Sequence, residues 1–317
     1  MEAIIEMSVR KKVKKKHVVS FKDMIPLYIM LIPAVIVVAV FSYIPLYGVL
    51  IAFTDYTPTM GSVFNSTWIG FDNFRRFFSL YNCWTLIWNT LRISLMSILF
   101  MTPLPIILAL AINEIAGKWI KQLTQTISYA PYFVSTIVLA GMTFAFTDRD
   151  TGFINDIIVA FGGERTELME SASAFPWLYL ITTIWSCVGW SAIIYVGTLS
   201  NVDPNLIDAA KIDGAGRLAR IWHINFPVLI PIVTLLLIMS MGGILGVGFE
   251  KAYLFQTNLN LETSEIISTF VYKQSLLSYI QDYGYGTAIG LLNSVVGFIL
   301  LAVANQTAKK AGGTTLW

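Results

Sequence analysis

The sequence predicts an all-α integral membrane protein with six transmembrane helices. Three observations carry that reading. Hydrophobic residues make up 56% of the 317 positions and charged residues only 13%, where a soluble domain carries about 25% charge. Mean hydropathy is +0.68. Apolar runs long enough to cross about 30 Å of hydrocarbon recur six times, near 25–53, 84–112, 127–146, 175–199, 228–249 and 286–305.

The first run follows a tail, 1–23, that carries seven Lys and Arg residues between Arg10 and Lys22. A signal peptide has an apolar core of 7–15 residues; this run is about twice that length, so it reads as an uncleaved span. The basic tail serves as a topology signal, with binding to anionic lipid headgroups as the lesser alternative. Prolines within the runs, among them Pro33, Pro103, Pro131 and Pro231, predict kinks, which neighbouring helices make tolerable in a bilayer.

Basic residues set the orientation. Tail residues together with Lys118, Lys121, Lys211, Arg217, Arg220, Lys309 and Lys310 number fourteen, against six in the alternate segments: Arg75, Arg76, Arg149, Arg165, Lys251 and Lys273. The excess of positive charge on the inner side places both termini and segment 201–227 in the cytoplasm. The domain reading is a tail at 1–23, a six-span body at 24–306 and a second tail at 307–317. Between the first two runs, Phe71, Phe74, Phe77 and Phe78 around Arg75 and Arg76 predict a short amphipathic helix at the outer interface.

Segment 201–227 is a predominantly hydrophilic stretch between two spans that also carries basic residues. Asp203 before Pro204 reads as an N-cap and first helical residue. Leu206, Ala209, Ala210 and Asp213 share one helical face, Gly214 is a left-handed C-cap, and 217–224 forms a second short helix. Two adjacent alanines leave a flat surface for another backbone, and Asp208 beside them offers one directional charge.

The string Asp208-Ala209-Ala210, Asp213-Gly214-Ala215, Ile224 and Pro227 resembles the EAA loop of binding-protein-dependent ABC importer permeases. Aspartate stands at 208 where that loop has glutamate, and Phe226 where it has leucine. The resemblance extends over the chain from about residue 20 onward. Tyr43-Ile44-Pro45, Trp68-Ile69-Gly70, Asn89-Thr90-Leu91 and Tyr129-Ala130-Pro131 are similar to sugar-type permeases. Trp185, Gly189-Trp190, Gly248-Phe249-Glu250 and the terminal Leu316-Trp317 are similar to the complex-oligosaccharide branch, of the aldouronate and polygalacturonan type.

That resemblance implies the type I ABC importer permease fold in a multi-pass prokaryotic cell membrane. It implies oligosaccharide import by alternating access, with a second homologous permease, two cytoplasmic ATPase subunits and an extracellular solute-binding protein as partners. It also implies that Asp208, Ala209, Ala210, Asp213, Gly214, Ala215, Ile224 and Pro227 couple to the ATPase. No Gly-x-x-x-x-Gly-Lys-Ser/Thr loop occurs in the sequence, so ATP and Mg are bound by the partner subunits and this chain binds no cofactor. Two cysteines and two histidines, widely separated, form no metal-ligand pattern, and no nucleophile–base pair marks an enzyme. A net charge of +2 gives no footing for nucleic acid.

Sugar recognition within a membrane cavity calls for aromatic faces and for amides or hydroxyls. Trp185, Trp190 and Tyr195 in the fourth run, Asn89 in the second and Asn293 in the sixth supply these types. Trp185 and Trp190 lie about 140° apart on a regular helix, so only one of them faces a given cavity. Asn89 and Asn293 serve equally well as interhelical hydrogen-bond partners, with Gly290 and Gly297 beside the latter as a small-residue face. The glycines at 242, 243, 246 and 248 either pack tightly or mark a locally unwound helix. Glu250 and Lys251 either cap the span or meet an external partner. A permease for a non-sugar solute and a stand-alone secondary carrier are the alternatives. Both are opposed by the scarcity of ionisable residues within the runs.

Overall fold

The computed structural model describes residues 21–279 and 281–317; nearly all of the basic tail, 1–20, lies outside them. The chain divides into two units at Leu50/Ile51. The first contains helix α1, Phe21–Val38, with Pro26 and Pro33 inside it. A π turn, Ala39–Tyr43, and a 3-10 stretch, Ile44–Phe53, continue the coil. Met24–Phe53 is one of five helices long and apolar enough to span a membrane among the described residues.

Among its described residues the second unit is helical in its regular structure, apart from one isolated bridge between Thr54 and Trp68. Its elements in order are α2 (Asp72–Phe78), α3 (Cys83–Met101), α4 (Pro103–Asn113), α5 (Lys118–Tyr129), α6 (Thr136–Thr147), α7 (Phe153–Ala160) and α8 (Phe175–Leu199). There follow α9 (Pro204–Ile212), α10 (Arg217–Arg220), α11 (Phe226–Gly242), α12 (Phe249–Phe255), α13 (Leu261–Ser264), α14 (Ile267–Tyr272) and α15 (Tyr283–Lys310). Helices α3 and α4 run on as one span, Cys83–Asn113, past Pro103 at the first position of α4, whose missing N–H leaves one bond of the ladder unmade.

Two of the expected spans differ from the sequence reading. The run at 127–146 is not a single helix. Lys118–Phe133 and Thr136–Thr147 are bent by 94° relative to each other. Pro131 cannot extend the hydrogen-bond ladder, the chain tightens to a 3-10 turn over Ala130–Phe133, and the Ser135 hydroxyl restarts the helix by accepting from the Val138 N–H. The run at 228–249 is displaced instead. Its helix begins at Arg217, through a π turn at Ile221–Asn225, and ends at Gly242. The second short helix expected at 217–224 is therefore the first two turns of this span. Residues 243–248 leave the helix before α12 begins.

Three buried clusters hold the second unit together. Ile106, Ala109 and Ile112 of α4 meet Ala192, Tyr195 and Leu199 of α8 and Leu229 of α11. Ile93, Ala140, Phe175 and Tyr179 pack with Ala252, Phe255 and Ile266. Phe77, Cys83, Leu86, Phe270, Tyr285 and Ile289 form the third. Glycine permits close approaches between helices, as at Gly189 and Gly297. A Cβ at Gly189 would overlap the Ser128 carbonyl oxygen of α5, and one at Gly297 would overlap the Gly242 carbonyl oxygen. Residue Gly290, one further member of the predicted small-residue face, has open space beside it.

Candidate functional site: a hydroxyl-lined groove and an exposed loop

Two regions carry the residues singled out in the sequence. The first is a groove along α8. A cavity of ≈ 410 Å³ is lined by Ser97, Thr102, Trp190, Ser191, Tyr195 and Ser240, among others. Ser97, Ile98 and Ser240 also line a second cavity of ≈ 270 Å³ that reaches Tyr179, Thr183 and Gly248. Those three in turn border a third, of ≈ 380 Å³, with Tyr132, Ser186, Glu250 and Lys251 in its wall. Tyr195 and Tyr179 are sixteen residues apart on one helix, so the connected cavities extend over about 24 Å of α8.

Local chemistry builds this wall. The break before α6 puts Tyr132 face to face with Trp190, with ring centroids 4.4 Å apart and planes within 4°, and Phe133 meets the same indole edge-on. Such contacts contribute about 0.5–1.5 kcal/mol beyond burial and fix the indole in the groove wall. Trp185 faces elsewhere. It borders an apolar cavity with Leu139, Met142, Phe146 and Phe153. The angular separation anticipated from the sequence thus assigns Trp190 to the hydroxyl-lined groove and Trp185 to an apolar surface. The unwound glycine segment lets the Ile244 carbonyl accept from the Ser94 hydroxyl.

Neither asparagine lines these cavities. The Asn89 amide is 3% exposed and donates to the carbonyls of Glu262 and Glu265 at 2.8 and 3.0 Å. It pins α3 to the segment around α13. Asn293 is half-buried on α15.

Lys251, which the sequence leaves as either a cap of the span or a contact for an external partner, packs against α8. Its ammonium group donates to the Tyr179 carbonyl at 2.9 Å and to the Thr183 hydroxyl at 2.6 Å. It lies 4.5 Å from the Tyr179 ring centroid and 5.5 Å from that of Phe255. Among the described residues no carboxylate pairs with it. Desolvation at this place, beyond the end of the fifth span, brings the Lys251 pKa down to about 7. The available signal is a lysine three residues after the last glycine of a glycine-rich break.

The second region is the loop 201–216. The Asp203 carboxylate accepts from the Asn205 N–H at 2.9 Å and caps α9, with Pro204 in the first turn. Gly214 has φ +79°. The Ala215 N–H reaches the Ala210 carbonyl and the Gly214 N–H that of Lys211, at 2.8 and 3.0 Å, which is the paired C-terminal closure a left-handed glycine allows. Asp208 and Ala209 are exposed and Ala210 half-buried; Asp208 meets only Lys211, at 2.9 Å, in an exposed pair. Asp213 caps the helix end, Ala215 is half-buried, Ile224 lies in the π turn and Pro227 is exposed at the start of α11. Leu206, Ile212 and Leu218 stand exposed on the same segment, Ile212 at 87%. Three uncovered aliphatic side chains beside a flat alanine pair form a surface suited to a partner.

A strut connects this loop to the rest of the unit. Arg220 donates to the Ala215 carbonyl at 2.9 Å and pairs with Glu114 at 3.3 Å, and the buried Asn225 amide donates to the other Glu114 oxygen at 3.4 Å. Glu114 follows α4, so these contacts tie the loop to the end of the second span.

A multi-span helical protein with a hydroxyl-lined groove and an exposed helical loop between two spans is a membrane permease by class. Residues 101–311 match the binding-protein-dependent transport system inner membrane component family, and the chain belongs to that family. It is 38% identical to the polygalacturonan/rhamnogalacturonan transport system permease protein YteP of Bacillus subtilis, over 96% of this chain and 94% of that protein. It is 40% identical to protein LplB of the same organism, over 90% and 88%. A chain in the crystal structure of a bacterial ABC transporter involved in the import of the acidic polysaccharide alginate superposes with a TM-score of 0.82 at 34% identity. That match covers 91% of this chain and 96% of that one. A chain of the alginate transporter in complex with its alginate pentasaccharide-bound periplasmic protein gives 0.83 at 33% identity, over 93% and 98%.

Proposed function

We propose that this chain is one of two permease subunits of an ABC importer for oligosaccharides, set in the cytoplasmic membrane with both termini and the 201–216 loop inside. The observation that carries the reading is the exposed loop with Asp208, the alanine pair and the left-handed Gly214 at one end of a hydroxyl-lined groove. Two ATPase subunits bind ATP and Mg, and one of them receives this loop. Their closure moves α9, and the Glu114–Arg220–Asn225 strut passes the motion to α4 and α11. An extracellular solute-binding protein delivers the sugar at the opposite end. Aromatic faces at Tyr132 and Trp190 meet the apolar side of a sugar ring, and Ser97, Thr183 and Ser191 meet its hydroxyls.

The names of the similar proteins support polysaccharide-derived substrates, and among the described residues no group of three or more His, Cys, Asp or Glu side chains could hold a metal cation. Asp208 tests the coupling. Its exposed pair with Lys211 is worth little, so the carboxylate is free to exchange that lysine for a basic residue of the ATPase. Asp208→Lys is expected to uncouple ATP hydrolysis from uptake or to weaken assembly, with partial recovery by an Arg→Asp exchange in the ATPase. Normal uptake by the single variant contradicts this role.

A further inference from the structure

At the end of the groove beside α12 the Lys251 ammonium has no carboxylate partner among the described residues. Of its three N–H donors, two are engaged among those residues, by the Tyr179 carbonyl and the Thr183 hydroxyl. The ammonium borders the ≈ 380 Å³ cavity that also contains Tyr132, Thr183 and Ser186. A clasp between α12 and α8 needs no charge, because an amide at this position could donate to the same two oxygens. Placing an ammonium there instead carries a desolvation cost. The two aromatic faces at 4.5 and 5.5 Å reduce that cost but do not neutralise the group.

The rest of the wall narrows the chemistry of the missing anion. Tyrosine rings and hydroxyls suit a sugar. A single cation, with the Glu250 carboxylate bordering the same cavity, suits one negative charge rather than the two of a phosphate monoester, for which an arginine fork or several donors would be expected. We propose that Lys251 is a specificity-determining residue that pairs with the carboxylate of a uronate unit as the oligosaccharide enters the groove. This rests on the oligosaccharide-importer reading and deepens it to substrates bearing carboxylates.

The test uses proteoliposomes containing this chain with its cognate permease, ATPases and solute-binding protein, with trigalacturonate and its methyl ester as probes. Lys251→Gln is expected to lower kcat/KM for trigalacturonate about 10- to 100-fold, the range for losing a hydrogen bond to a charged group. Lys251→Arg, which retains the charge, is expected to stay within about threefold to fivefold of the parent protein, and the ester to be little affected by either change. If Gln supports trigalacturonate uptake as well as or better than Arg, Lys251 is only a clasp and the proposal is overturned. Equal losses of acid and ester in the Gln variant overturn it as well. Uptake of neutral oligosaccharides without trigalacturonate by the parent protein rejects the uronate inference and leaves the importer reading standing. Uptake of neither rejects both.

Discussion

At Gly214 the backbone stands at φ +79° and nothing lies within 4 Å of where a Cβ would sit. Any effect of substitution there comes from the backbone alone. A β-branched residue in the left-handed region costs about 1–2 kcal/mol, little beside the packing of several spans. Gly214→Val is therefore expected to insert and assemble normally while uptake falls sharply, and Gly214→Asn to be milder, since asparagine tolerates that conformation. Equal loss from both, measured as uptake per assembled complex, would mean that the ATPase itself touches position 214. Gly189 is the opposite case, because its constraint is space. A methyl group there would meet the Ser128 carbonyl, so Gly189→Ala is expected to lower the recovery of folded protein in detergent. Lys251 adds a pH dependence. With its pKa at about 7, the free group is charged below that value and increasingly neutral above it. Glu250 on its own helix, Cys187 and Tyr179 on α8 and Tyr132 across the cavity are the titratable neighbours. Uronate uptake should weaken as the pH on the delivery side rises from 6 to 8, and Lys251→Gln should flatten the profile.

At the level of elements, the informative pieces are those where helices break. The right-angled bend between α5 and α6 brings Tyr132 to Trp190, and the unwinding after Gly242 brings Lys251 back to α8. Neither was legible as geometry. Pro131 and the glycines at 242–248 stood out in the sequence as breaks, but the direction taken after a break is set by long-range packing. The loop was far more legible, since Asp203, Pro204 and Gly214 act through local backbone preferences. The strut was not legible, because Glu114 and Arg220 are 106 residues apart. The strut can be tested. Its side chains are only 14% and 20% exposed, and removing one partner leaves the other polar groups poorly satisfied. Glu114→Ala is expected to raise ATP hydrolysis uncoupled from uptake, whereas a merely structural ion pair would lower thermal stability and leave the coupling ratio unchanged.

At the level of the whole molecule, six apolar runs were readable from composition, and five spans plus one bent pair correspond to them. Run length reports the thickness of hydrocarbon to be crossed, not whether the helix crosses it straight, which explains the misreading at 127–146. The groove takes its wall from α3, α8 and α11. If this chain moves oligosaccharides as part of a machine driven from the 201–216 loop, uptake depends on ATP and on the delivering protein. Uptake of a labelled oligosaccharide can be measured in proteoliposomes holding both permeases and the ATPases, with ATP inside and the solute-binding protein outside. Uptake is expected to require both additions, to collapse with Asp208→Lys and to be indifferent to an imposed ion gradient. Uptake that persists without ATP and follows a proton or sodium gradient would contradict that mechanism.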